Sequence, residues 1–266
     1  MVGLEEWVDA LERRHLADFR VAEITRALRA LSSAYVERRH TRLRSSSAGG
    51  RPAGRGPLDS AGKRAAFALF YAPLHYLAAA HVIASIPGAA QPRPSAILDI
   101  GCGTGAAGAA WAVAAGGSPL VTGIDRHPWA VDEARWTYRA LGLKGSARIG
   151  DMARLPHVQR GTAVIAAYVL NELASETRSR AEEHLFGAAA RGARVLILEP
   201  IARAVAPWWD QAAGRAREAG GRADEWRFPA DLPPLLRTLD KAAGLNHREL
   251  TVRSLWLPGG TVQGPA

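Results

Sequence analysis

The stretch Ala96-Ile97-Leu98-Asp99-Ile100-Gly101-Cys102-Gly103-Thr104-Gly105-Ala106 constrains this chain more than any other. An apolar run closed by an acid predicts a buried strand, and the small residues after the glycines predict the start of a helix. Side chains in the turn between them would block a ligand, whereas glycines let backbone N–H groups close on one. Leu120-Val121-Thr122-Gly123-Ile124-Asp125 predicts a second strand ending in an acid, twenty residues past Gly105. That spacing suits a carboxylate accepting both hydroxyls of a ribose. The glycines alone are weakly specific, because Gly101-x-Gly103-x-x-Ala106 also satisfies the looser dinucleotide pattern. Two features tip the balance. Asp99 stands two residues before the first glycine, and Ala147-Arg148-Ile149-Gly150-Asp151 predicts a third strand with a terminal acid.

Three acids at three successive strand ends resemble the S-adenosylmethionine site of class I methyltransferases. The resemblance implies an α/β fold, a Rossmann-like doubly wound sheet, with S-adenosylmethionine as cofactor. Asp99, Gly101, Gly103 and Gly105 would then line its methionine part, Asp125 its ribose, and Asp151 with Met152 its adenine. Methyl transfer is an in-line displacement at a carbon already activated by its sulfonium. The enzyme therefore contributes mainly position and orientation, and needs no metal. The only cysteine, Cys102, lacks a neighbouring base and reads as a small apolar filler. The eight histidines lack ligand spacing, and none is assigned to a metal.

Before the glycine turn, residues 4–43 predict two helices, an N-terminal extension. Leu4, Trp7, Val8 and Leu11 share one face, and Ile24, Leu28, Leu31 and Tyr35 another. Composition then shifts to Ser, Gly, Pro and Arg over 44–63, predicting a flexible basic loop. Between 38 and 64 eight basic residues face Asp59 alone, a local balance of +7 within a net charge of +9. Arg42, Arg44, Arg51 and Arg55 are the candidate phosphate contacts, although such a loop could equally serve as a solubilising linker. From Ala65 to Pro92 there is no charge. Pro73, His75, Tyr76 and His81 interrupt that run, and Phe67, Phe70, Leu74 and Leu77 share a face, so 64–94 reads as a buried helix and linker rather than a membrane span. The acidic start Met-Val-Gly-Leu-Glu-Glu-Trp has no basic leader region, and a cytoplasmic enzyme is expected.

After the second strand, strand and helix alternate through 95–266, the pattern of a parallel sheet covered on both faces. Expected elements are a helix from Pro128 to Leu141, strands at 163–168 and 194–199, a helix near 175–190, and a last strand from Leu250 to Leu257. Residues 201–228 read as a tryptophan-rich insertion, followed by a helix from Leu232 to Ala243. Tyr168, Asn171 and Glu172 follow the fourth strand, where cofactor methyl and acceptor would meet. Asn171 could orient an acceptor and Glu172 take its proton; a simple helix cap is the alternative.

Shorter motifs bring a narrower likeness. Leu31-Ser32-x-x-Tyr35, Tyr71-Ala72-Pro73-Leu74-His75-Tyr76, Ile97-Leu98-Asp99-Ile100-Gly101, Ala167-Tyr168-Val169-Leu170-Asn171-Glu172-Leu173 and Leu196-Ile197-Leu198-Glu199-Pro200 together resemble the small-ribosomal-subunit methyltransferase family. Mitochondrial members of that family are associated with assembly of the subunit. Its usual cysteine set for an iron–sulfur cluster after the fifth strand is missing here. The resemblance implies a ribosomal RNA substrate, with RNA and the small subunit as partners. The alternatives are a methyltransferase acting on a small molecule or protein, with 201–228 as a lid, and a non-catalytic assembly factor that keeps the cofactor site.

Overall fold

The computed structural model describes residues 2–44, 58–117, 119–152, 154–202 and 206–260. In chain order the helices are α1 (Leu4–His15), α2 (Val21–Arg44), α3 (Ala61–Ala66), α4 (Ala72–Ser85), α5 (Ala106–Ala114), α6 (Pro128–Ala140), α7 (Ser175–Ala190), α8 (Trp209–Glu218) and α9 (Pro234–Ala243). The strands are β1 (Ala96–Ile100), β2 (Leu120–Asp125), β3 (Gly145–Ile149), β4 (Ala163–Ala167), β5 (Arg194–Glu199), β6 (Arg222–Pro229) and β7 (Glu249–Leu257). All seven form one sheet in the order β3-β2-β1-β4-β5-β7-β6. β1 to β5 run parallel, and β7 lies antiparallel to β5 with Glu199 opposite Arg253. This is the Rossmann-like sheet expected from the sequence. Its order reverses between β1 and β4, the switch point beyond whose carboxyl ends ligands bind.

The chain divides into two compact units. The larger takes His75–Phe228 and the chain from Leu250 onward. One face of its sheet buries Leu98, Val164, Val195, Ile197 and Leu255 against Leu185 of α7 and Ala212 and Ala216 of α8. Each such leucine or valine stabilises the fold by about 1.5–3 kcal/mol relative to exposure. Alanines along α8 bring that helix close to the sheet, and Trp208 and Trp209 fill the space at its start.

The smaller unit takes Leu4–Leu74 and Pro229–Glu249. Trp7 and Leu11 of α1, Ile24, Leu28 and Leu31 of α2, and Leu236 and Leu239 of α9 are fully buried. The Arg29 guanidinium donates to the Ala242 carbonyl at 2.5 Å, tying α2 to the end of α9. Asp240 accepts the His247 backbone N–H at 2.8 Å and closes the loop after that helix.

Three expectations need correction. Residues 201–228 are no insertion, because α8 packs on the sheet and β6 is its edge strand. One-sided exposure along β6 breaks up the hydrophobic signal that would have revealed it. The 95–266 boundary fails too, since α9 buries its leucines among the N-terminal helices. Finally, β3 begins at Gly145, where a Cβ would stand 2.6 Å from the Tyr138 ring. It ends at Ile149, short of Asp151, which lies in the following loop.

Ala61–Ser85 is long and apolar enough to cross a membrane by length and composition, yet most of it is buried inside the protein. It is not a uniform helix. A π-helical turn, Phe67–Tyr71, separates α3 from α4, and the Ala72 N–H reaches back to the Phe67 carbonyl. Pro73 has no N–H to continue an α-helical ladder, and the wider turn before it absorbs the mismatch.

Candidate active site

β1 delivers the chain to the glycine turn, and three left-handed residues make that turn: Gly101 at φ 64°, Gly103 at 51° and Gly105 at 79°. Any side chain is strained there, and two of the three positions are also crowded. A Cβ on Gly101 would meet Val169 at 2.3 Å, and one on Gly105 would meet the Tyr138 ring at 2.8 Å. These two glycines serve the protein's own packing as well as any ligand. The Cys102 N–H donates to the Ile124 carbonyl at 3.0 Å, fastening the turn to β2.

Both predicted carboxylates of the first two strands face this turn. Asp125 accepts the Gly103 N–H at 2.9 Å and the His127 N–H at 2.8 Å, one on each oxygen. Each oxygen keeps a second lone pair, so the carboxylate can still accept two ribose hydroxyls. Asp99 is 1% exposed, and its Oδ2 accepts the Gly108 N–H at 2.9 Å in the first turn of α5. Its Oδ1 is buried with no hydrogen-bond partner among the described residues. Burial, with the like charge of Asp125 added, raises the Asp99 carboxyl to about 7 against the pull of the Gly108 N–H. Asp151 is exposed and its carbonyl caps the Arg154 N–H, whereas Met152 packs partly into the core beneath the sheet.

The orphaned buried oxygen of Asp99 suits a cationic group, the positive end of α5 suits a carboxylate, and Asp125 suits ribose hydroxyls, all three of which S-adenosylmethionine carries.

The candidate catalytic residues are brought near this turn by β4. Tyr168 leaves the strand at φ 58°, a conformation that costs a bulky residue about 1–3 kcal/mol. Its N–H donates to Leu198 at 2.8 Å, and its ring stacks on His75 with centroids 4.2 Å apart. Val169, the next residue, covers Gly101. His75 is half-buried, and desolvation lowers its imidazole to about 4, so it is neutral at pH 7.

Asn171 lies in a short 3-10 turn, Leu170–Glu172, and is 9% exposed. Its side-chain amide donates to Glu199, its backbone N–H donates to the same carboxyl at 3.2 Å, and its Oδ1 accepts Trp208 Nε1 at 3.3 Å. Asn171 is therefore held within the protein, at both ends of its amide. Glu172 is half-buried beside it. Glu199 is fully buried, and desolvation raises it to about 8 despite hydrogen bonds from Asn171 and Leu170 and the opposing charge of Arg253. Arg253 in turn lies 4.2 Å over the Trp209 ring.

His75, Glu199 and Arg253 were not predicted as site residues. Glu199 carried a visible signal, an acid closing the apolar strand Arg194–Glu199, the same signature as Asp99 and Asp125. Of the arginine candidates, Arg51 and Arg55 are outside the described residues, as are the side chains of Arg42 and Arg44.

A methyltransferase-domain family model matches residues 97–192, from β1 through α7. The stretch that carries the glycine turn and its acids is thus similar to a methyltransferase domain. The matched part excludes the Leu31–Tyr35 and Tyr71–Tyr76 motifs behind the small-subunit resemblance. No curated protein matches the chain. Among solved structures, the chain is similar to an O-methyltransferase family protein from Burkholderia thailandensis, at 17% identity over 94% of this chain and 77% of that one, TM-score 0.58. It is also similar to the mitomycin 7-O-methyltransferase, at 17% identity over 83% of this chain and 66% of that one, TM-score 0.53. At that identity the likeness is one of fold.

Proposed function

We propose that this methyltransferase acts on a small organic acceptor through a hydroxyl or amine. The reading rests on the stack of His75 on Tyr168 beside the glycine turn, at the carboxyl end of β4. Two neutral rings held parallel favour a flat, uncharged acceptor over a phosphate backbone, which demands cations. When bound, the cofactor supplies an electrophilic methyl group on a sulfonium. The chain's own part is to aim the nucleophile. Tyr168 forms the wall, Glu172 stands beside it to take the acceptor's proton, and Asn171 positions their loop through Glu199 and Trp208. The two O-methyltransferase folds named above are consistent with this substrate class.

RNA is the second reading, and one observation favours it: the +7 balance between residues 38 and 64. The deciding experiment incubates the protein with methyl-labelled S-adenosylmethionine and either a metabolite extract or total RNA. Label in low-molecular-weight products supports the proposal, and label confined to RNA overturns it. Cofactor binding without transfer into either pool would favour a non-catalytic assembly role.

A further inference from the structure

The buried carboxyl of Asp99 has an environment that its place beside the cofactor does not by itself require. From β2, its register partner is Gly123, which leaves room for Cys102 of the turn and Tyr138 of α6. A Cβ on Gly123 would stand 2.8 Å from Cys102 Sγ and 2.9 Å from the Tyr138 hydroxyl oxygen. That hydroxyl is itself buried without a hydrogen-bond partner among the described residues, as is Asp99 Oδ1. From β4 the register partner is the apolar Ile165. α5 offers the single Gly108 N–H, and the charge acting on Asp99 from β2 is that of another acid, Asp125. Among the described residues, Asp99 thus has one donor, a like charge and no cation beside it, a setting that favours the protonated carboxyl.

S-adenosylmethionine carries a sulfonium charge that its demethylated product, S-adenosylhomocysteine, has lost. We infer that Asp99 distinguishes the charged cofactor from the spent product by exchanging a proton with solvent. It holds the proton in the free protein, releases it when the sulfonium arrives, and takes one back once methyl transfer leaves a neutral thioether. Over a cycle Asp99 is unchanged, one methyl group moves, and the acceptor's own proton goes to solvent. The carboxylate thereby strengthens the grip on cofactor and relaxes it on product. The inference rests on the cofactor alone and holds whichever acceptor is used.

Calorimetry on the full chain tests this without an acceptor. Titrations at pH 6 in buffers of different ionisation enthalpy count the protons released on binding. The amino group of either ligand stays fully protonated at that pH and adds nothing. Wild type should release most of one proton with S-adenosylmethionine and less than half as many with S-adenosylhomocysteine. Its affinity for the former should fall about tenfold per unit as pH drops below about 7. Asp99→Asn should bind with no proton release and a flat pH profile. Equal release with both ligands, or none with either, in the wild-type protein overturns the inference whether or not the variant folds. Absence of any binding heat with S-adenosylmethionine would instead indict the cofactor assignment.

Discussion

Asp125 and Glu199 end two strands of the same sheet and carry opposite consequences. Asp125 has backbone donors on both oxygens and is poised to accept more. Asp125→Ala should weaken S-adenosylmethionine binding by about 1.5–3 kcal/mol, roughly 10- to 150-fold, because ribose hydroxyls then lose their acceptor. Binding calorimetry at pH 7.5 measures it, and an unchanged affinity would remove Asp125 from the site. Glu199 is buried and its folded value is raised to about 8. An unfolded glutamate releases its proton near pH 4.3, so between about 4.3 and 8 the folded chain binds the extra proton. Stability from this residue therefore declines as pH rises through that window, by up to about 1.4 kcal/mol per unit, and levels off above it. Glu199→Gln should flatten that decline, as followed by denaturant unfolding at pH 5, 6, 7 and 8. Parallel curves for the two proteins would mean that Arg253 keeps Glu199 ionised throughout. The glycines and both carboxylates of the turn were legible in the sequence, because a left-handed turn and a strand-end acid are local signals. The His75–Tyr168 stack was not. Its two rings come from α4 and the residue just past β4, and nothing in either segment alone names the other.

At the scale of elements, legibility followed burial. β1, β4 and β5 are buried on both faces and read as continuous apolar runs, so their expected and observed limits agree within a residue. β3 and β6 lie at the two edges of the sheet, and their exposed positions dilute the pattern. Asp151 was misplaced and 201–228 misread for that reason. The junction of the turn with α5 offers a sharper test of element packing. Gly105 is at φ 79°, and a Cβ there would lie 2.8 Å from Tyr138 and 3.1 Å from the Ala134 backbone. Rigid backbone on α6 cannot yield as a flexible side chain could. Gly105→Ala should therefore lower unfolding stability by about 1–3 kcal/mol and weaken cofactor binding as well. A variant with wild-type stability that loses only cofactor affinity would show that the glycine serves the ligand and not α6.

For the molecule as a whole, α9 shows the limit of reading along the chain: it lies between two strands in sequence, yet its buried leucines belong with α1 and α2. Charge is a whole-molecule property that the sequence does state, and it separates the two acceptor readings. Eight basic residues against one acid between 38 and 64 would concentrate positive charge on any phosphate backbone bound there. Each arginine in such a contact displaces about one counterion, so the logarithm of affinity falls linearly with the logarithm of salt, at about 0.7–0.9 per contact. If RNA is the acceptor, replacing Arg42, Arg44, Arg51 and Arg55 together by Gln should flatten that slope by roughly three units. Filter binding of total RNA from 50 to about 300 mM salt reads the slope, and calorimetry with S-adenosylmethionine provides the control. Cofactor affinity should hold, since none of the four arginines belongs to the glycine turn or its two acids. For a small-molecule methyltransferase the quadruple variant behaves differently: label transfer into metabolites persists at the wild-type rate, and any RNA binding lost was nonspecific. A variant that loses both the salt slope and labelled product in RNA would instead make the arginines the substrate's grip and return RNA to first place.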